Sequence, residues 1–193
     1  MTLNDQSSLL SFLKTRKSAS AKALGGPGPT PQQIAEIIEI SVRVPDHGKL
    51  NPWRFIVFEG EARGKIGAQF ADIWAKAHPD HGENILAFQR GFLERAPVVI
   101  GVISTAAQHG KIPVWEQQLS AGSAIMNLLT AAHALGFVGG WLTGWPSYSE
   151  TVRDAFGTAG ERIAGFVFLG TPARPLEERP RPNYADVVQE WSK

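Results

Sequence analysis

The chain has 193 residues, a formal net charge of +1, six tryptophans and no cysteine. That length fits one globular domain with a sizeable core, and the near-neutral charge argues against a dedicated nucleic-acid binder. The lack of cysteine excludes disulfides, thiolate metal sites and cysteine nucleophiles. No apolar run approaches the roughly 20 residues that span a bilayer, and the short apolar patch in MTLNDQSSLLSFLKTRKSAS falls short of a signal core, so a cytoplasmic protein is expected.

Taken in chain order, SSLLSFLKTR (7–16) places Leu9, Leu10, Phe12 and Leu13 close to helical spacing, with Ser7 or Ser8 as cap. SASAKALGGPGP then reads as a surface loop. TPQQIAEIIEISVRVP predicts a helix capped by Thr30, opened by Pro31 and stopped before Pro45. WRFIVF (53–58) reads as a buried strand, 61–77 as a helix with Ile66, Phe70, Ile73 and Trp74 inward. Ile85, Phe88, Phe92 and Leu93 mark a short helix, and VVIGVIS (98–104) a second buried strand. Residues 114–135 form the longest helical pattern, small and apolar on nearly every face, as in a buried helix. FVGGWLTG (137–144) gives a third strand, 149–156 a short helix and IAGFVFLG (163–170) a fourth strand. The Pro- and Arg-rich remainder has too few apolar residues for its own core. The order predicts an α+β fold around one sheet of about four strands.

Several stretches carry chemistry. HPDHGE offers His78, Asp80, His81 and Glu83 as metal ligands, but at no established metal spacing, and a polar connector is the plainer reading. His133 reads as a hydrogen-bonded core histidine. TRKSASAK places Arg16, Lys17 and Lys22 around small and hydroxyl residues, which is either a basic helix end or an anion clamp. RVPDHGKLNPWRFIVF (43–58) crowds polar and cationic groups between a helix and a strand, either as a solvated connector or as one wall of a site. No Rossmann, P-loop or G-x-S-x-G pattern is present.

RKSAS, RVPDHGKLNPWRFIVFEG, IPVWEQQLSAGSAIMNLLTAAHALGFVGGW and FVFLGTP occur in one order, and the set resembles the nitroreductase family of FMN-dependent enzymes over about residues 9–172. The likeness is greatest to a small bacterial branch of NAD(P)H nitroreductases with the signature P-D-H-x-x-x-x-P-W. The resemblance implies a nitroreductase-like α+β fold in a homodimer, with a central, mostly antiparallel sheet that a partner's C-terminus can extend. It implies one domain over residues 1–193, with 171–193 as a tail packing on the partner. It implies FMN at the dimer interface, NADPH or NADH as electron donor, and a nitroaromatic, quinone or related acceptor. The alternative is a non-enzymatic flavin or small-molecule binding dimer.

Carried over residue by residue, the resemblance puts Arg16, Lys17, Ser18, Trp141, Leu142 and Thr143 at the flavin and Arg181 at its phosphate. Arg43 and His47 would reach the other subunit's flavin, and Ala131, Ala132, His133, Ala134, Leu135 and Gly136 would meet the nicotinamide cofactor. Ala21 stands where an arginine is frequent, with Lys22 beside it to substitute. Asp46, His47, Lys49 and Asn51 fill positions that are P-S-S-x-N-x-Q-P-W in the wider family. No catalytic side chain and no metal are implied. Small residues at Gly139 and Gly140 are expected to admit the flavin ring. Leu119, Ile125 and Met126 on the long helix are expected to lie against the partner.

Overall fold

The computed structural model describes residues 2–157 and 160–192. The helices are α1 (Leu9–Thr15), α2 (Pro31–Ser41), α3 (Glu61–Ala77), α4 (Glu83–Arg90), α5 (Val114–Ala134), α6 (Glu150–Phe156) and α7 (Tyr184–Val187). The strands are β1 (Leu24–Gly25), β2 (Trp53–Glu59), β3 (Val98–Ser104), β4 (Val138–Leu142) and β5 (Arg162–Pro172). All pairings are antiparallel: β2 with β3, β3 with β5, and both β4 and β1 along the far edge of β5. The sheet thus has five strands, one more than expected. The addition is β1, from the stretch that reads as loop. Its two residues pair with Pro172 and Thr171 and continue the edge beyond β4.

Local chemistry sets the helix starts. Ser8 caps α1 by accepting from the Ser11 amide, and Thr30 and Gln33 form a reciprocal capping box on α2 with Pro31 at its first position. Strand alternation then divides the core. Val99, Ile103, Phe166 and Phe168 face α3 and α6, while Val98, Ile100, Val102, Val167 and Leu169 face α2 and α5. Phe92 and Leu93 are buried in a 3₁₀ turn after α4, whereas Ile85 and Phe88 on α4 are largely exposed.

α5 is not buried all round. Ala121, Ala124, Ile125, Leu128, Leu129 and Ala132 face the sheet and α2, while Trp115, Leu119 and Met126 are 67%, 51% and 41% exposed. Ile125 is fully buried within its own chain and so cannot lie against a partner, a correction to the expectation above. Its position follows from helical period: it shares a face with 121, 128 and 132, not with 115, 119 and 126.

His133, near the end of α5, is completely buried. Its Nε2 accepts from the Gly139 amide at 3.0 Å. Burial lowers its pKa to about 4, and the charge of Arg16 pushes the same way. The imidazole is therefore neutral, with its proton on Nδ1. Below the ordinary histidine pKa of about 6.5 the unfolded chain binds a proton that the folded chain refuses down to about pH 4, so stability falls on acidification through this window. We expect a loss on the order of 3 kcal/mol from this group, read as the difference in urea unfolding between wild type and His133→Gln at pH 7 and 4.5; equal slopes with pH would remove the assignment.

α3 and α4 meet at Gly67, where an added Cβ would stand 1.9 Å from the Arg90 carbonyl oxygen. At Gly64, one turn earlier, the nearest atom is the flexible Glu94 carboxylate at 3.3 Å. Gly67→Ala should cost about 2–3 kcal/mol through overpacking, and Gly64→Ala should be neutral or stabilising by up to about 1 kcal/mol through helix propensity. Denaturant unfolding of the two variants checks the contrast.

Candidate functional site

The site begins where α1 ends. Arg16 leaves the helix in an extended conformation, and residues 17–20 run beside β4, with the Ala19 amide donating to the Gly139 carbonyl at 3.0 Å. Asn4 clamps the segment: its side chain donates to the Lys17 carbonyl at 3.2 Å and accepts from the Lys17 amide at 2.8 Å. This approach requires glycine at position 140. A Cβ on Gly140 would stand 2.5 Å from the Ala19 carbonyl oxygen, whereas one on Gly139 would point into the core, 2.7 Å from the Phe168 carbonyl oxygen and from the Leu169 side chain. Gly140 therefore admits the neighbouring segment of the same chain, and Gly139 admits the close packing of β4 on β5.

Seating this segment fixes its cations. Arg16 Nη1 donates to Ser18 Oγ at 3.3 Å, and Lys17 Nζ to the Ser18 carbonyl at 2.9 Å. The chain after β5 returns to the same place, starting with the Ala173 amide donating to the Ala23 carbonyl at 2.9 Å. It completes a small polar pocket of about 210 Å³ with Lys17, Ser18, Ser20 and Arg174 on its walls. Burial, then the charges of Arg181 and Arg179, lower the pKa of Arg16, against an opposing pull from Glu178. Arg181 donates to Glu178 at 2.8 Å. Arg16, Arg179, Arg181 and Lys17 thus share one field with Glu178, and Arg174 and Glu177 also line the pocket. The structure brings Arg16, Lys17, Ser18 and Arg181 together from opposite ends of the chain. The last stretch of the tail stands out from the protomer, with Tyr184 72% and Trp191 90% exposed.

Trp141 lies at the open edge of β4. Its indole N–H donates to the Ala164 carbonyl at 3.1 Å, and the ring covers Gly165, where a Cβ would stand 2.1 Å from Trp141 Nε1. Leu142 packs toward the α3 side of the core. Thr143 is held by Ser147, which donates to its carbonyl at 2.9 Å, and by the Tyr148 hydroxyl at 3.4 Å. Beyond Tyr148 lies a groove of about 690 Å³ lined by Ile73, Trp74, His78, Trp145 and Tyr148. Both indole N–H groups there are committed, to His81 and Gln89, so the groove presents ring faces. His78 and His81 of HPDHGE stack on each other and on Trp74, with their own rings 4.9 Å apart. Among the described residues no three His, Cys, Asp or Glu side chains gather as a metal site.

Sequence reasoning missed Arg95. Its guanidinium sits 4.3 Å from the Phe88 ring centroid and 4.8 Å from that of Phe92, and Lys22 reaches the same Phe88 ring at 5.4 Å. Burial lowers the pKa of Arg95, and among the described residues neither Arg95 nor Lys22 has an ion-pair partner. The available signal was Arg95 following two phenylalanines by three and seven residues, one helical face.

Arg43 and His47 occupy a different surface. Asp46 folds their loop by accepting from the Leu50 and Asn51 amides at 3.2 and 2.8 Å, and Gly48, Lys49 and Asn51 take positive φ. α5 pins the loop through Ser120, which donates to the Pro45 carbonyl at 2.5 Å, and Asn127, which donates to the Arg43 carbonyl at 3.4 Å and to the Ile40 carbonyl at the end of α2 at 2.6 Å. His47 Nδ1 meets Glu116 Oε2 at 2.8 Å, and Arg43 is exposed. Among the described residues no hydrogen bond or ion pair joins them to Arg16–Ser18 within the protomer. Of the segment expected at the nicotinamide, Ala131, Ala132 and His133 are buried in the protomer, while Ala134 and Gly136 are exposed and Leu135 is half-buried.

Comparison with known proteins agrees with this architecture. The sequence profile of the Nitroreductase family matches residues 13–171. A protein of Escherichia coli K12 named "Putative NAD(P)H nitroreductase YdjA" is 39% identical over 164 residues, covering 84% of this chain and 87% of its own. A Haemophilus influenzae protein named "Putative NAD(P)H nitroreductase" is 38% identical over 174 residues, covering 89% of this chain and 92% of its own. Among solved structures, a nitroreductase-like family protein from Bacillus cereus has a TM-score of 0.77 at 18% identity, covering 97% of this chain and 98% of its own. The nitroreductase CinD from Lactococcus lactis, solved with nicotinic acid, has a TM-score of 0.74 at 21% identity, covering 96% and 100%. The low identities make those two a likeness of fold, while the profile and the two closer sequences carry the assignment: the chain belongs to the nitroreductase family of oxidoreductase enzymes.

Proposed function

We propose that the protein is a homodimeric, FMN-dependent NAD(P)H oxidoreductase. The observation that carries this reading is the convergence of Arg16, Lys17, Arg179 and Arg181 on the segment that lies against β4, whose end carries the exposed Trp141. A phosphate dianion requires guanidinium or ammonium donors, and Ser18 adds a hydroxyl at the same place. Arg16 and Arg181 would hold the phosphate, with Lys17 and Ser18 beside them. Trp141, Leu142 and Thr143 would border the ring. Lys22 and Arg95, cations with no ion-pair partner among the described residues, would face its electron-rich rim. Bound there, FMN would carry two electrons from NADPH or NADH to a nitroaromatic, quinone or related acceptor in a ping-pong cycle. No side chain is assigned a proton transfer. The aromatic groove next to Thr143 presents faces that suit a planar acceptor. The nicotinamide cofactor would meet the exposed end of Ala131–Gly136.

The second protomer would supply Arg43 and His47, which stand apart from the cationic cluster of their own chain. It would also cover Trp115, Leu119 and Met126, an apolar stripe on α5 that water otherwise meets. The exposed end of the tail, with Tyr184 and Trp191, would pack on that partner.

Removing one phosphate cation should be selective. Arg16→Ala is expected to weaken FMN binding at least tenfold and riboflavin binding little, measured by quenching of flavin fluorescence; equal losses for both flavins would contradict phosphate recognition by Arg16. Initial rates with varied donor and acceptor should give parallel double-reciprocal lines, and intersecting lines would contradict a shared pocket. Leu119→Arg should raise the dimer dissociation constant at least tenfold in sedimentation equilibrium and reduce FMN binding with it. A wild-type protein that sediments as a monomer at micromolar concentration would remove the two-chain site.

A further inference from the structure

We propose that Glu178 is a built-in competitor for the phosphate cluster, a carboxylate that a ligand's phosphate must displace from Arg181. The inference rests on the phosphate-binding reading above and adds to it a residue that opposes binding. Glu178 Oε1 accepts from Arg181 Nη2 at 2.8 Å and from the Arg179 amide at 2.8 Å. The two side chains are 43% and 42% exposed, so a phosphate can reach Arg181 without unpacking the core. The Arg179 N–H and Arg181, with Lys17 in support, hold the Glu178 carboxyl below the usual carboxylate range. The carboxylate therefore stays ionised at neutral pH and acts within the same field as Arg16 and Lys17.

The competition has a direction. A carboxylate offers one charge and two oxygens, a phosphate monoester close to two charges and three terminal oxygens. The phosphate wins the guanidinium, but its net affinity is reduced by the pair it breaks and by the negative charge that stays nearby. The neutral ring system has no such contest. Glu178 thus sets affinity and release of the phosphate end alone, and it narrows the margin by which a phosphorylated ligand is preferred over its neutral counterpart.

Glu178→Gln separates this role from simple positioning. The amide keeps the shape and can still accept from Arg181 and from the Arg179 amide, but it carries no charge. FMN should bind about threefold to tenfold tighter to Glu178→Gln than to wild type, with slower dissociation and a steeper loss of affinity with salt. Riboflavin affinity should not change. Glu61→Gln, the same change in net charge on α3, should leave both ligands unaffected. Inorganic phosphate, followed by ³¹P line broadening, should show the same gain on Glu178→Gln as FMN. Unchanged or weaker FMN binding would overturn the proposal, as would an equal gain for riboflavin. If neither protein bound FMN the flavin reading would fall, and the inorganic phosphate titration would still decide for or against competition by Glu178.

Discussion

The site depends on one backbone contact, the hydrogen bond from the Ala19 amide to the Gly139 carbonyl. It lays the segment after α1 along the edge strand β4, and it exists because Gly140 leaves no side chain in the way. The consequences spread outward. Arg16 and Lys17 are fixed at the sheet edge. His133, whose ring accepts from the Gly139 amide, is locked beneath them as a neutral group. β1 follows within a few residues and pairs with the end of β5, which returns the tail, with Arg179 and Arg181, to the same corner.

α5 performs a second organising task. Its inner face fills the core between α2 and the sheet, and its polar residues Glu116, Ser120 and Asn127 hold the 43–51 loop. Its outer face stays apolar. A loop that carries Arg43 and His47 is thereby fixed to the helix whose open stripe would meet a second chain. In the proposed dimer, site and association would be carried by one rigid element.

Much of this was legible in the sequence, for physical reasons. Thr30–Pro31 and the isoleucine spacing mark α2, and the continuous apolar runs of β3 and β5 mark strands covered on both faces. The cations of RKSAS and the tail stood out as chemistry, although their meeting is a matter of tertiary structure. The illegible parts are equally instructive. β1 has two residues and takes its conformation from β5, so no local pattern announces it. Alanine, serine and glycine throughout α5 flatten the contrast between its faces, and Ile125 was therefore placed outward when helical phase turns it in. Gly139–Gly140 signalled a close approach, but sequence alone does not tell chain from ligand. Arg95 gained its meaning only when a 3₁₀ turn set it over Phe88 and Phe92.

The direct test of the central claim is a crystal structure of the protein soaked or co-crystallised with FMN. The account predicts the phosphate within hydrogen-bond distance of Arg16 and Arg181, the ring bordered by Trp141–Thr143, and Arg43 or His47 of a second protomer beside it. A flavin bound elsewhere, or a cleft that stays without one at saturating FMN, would contradict it.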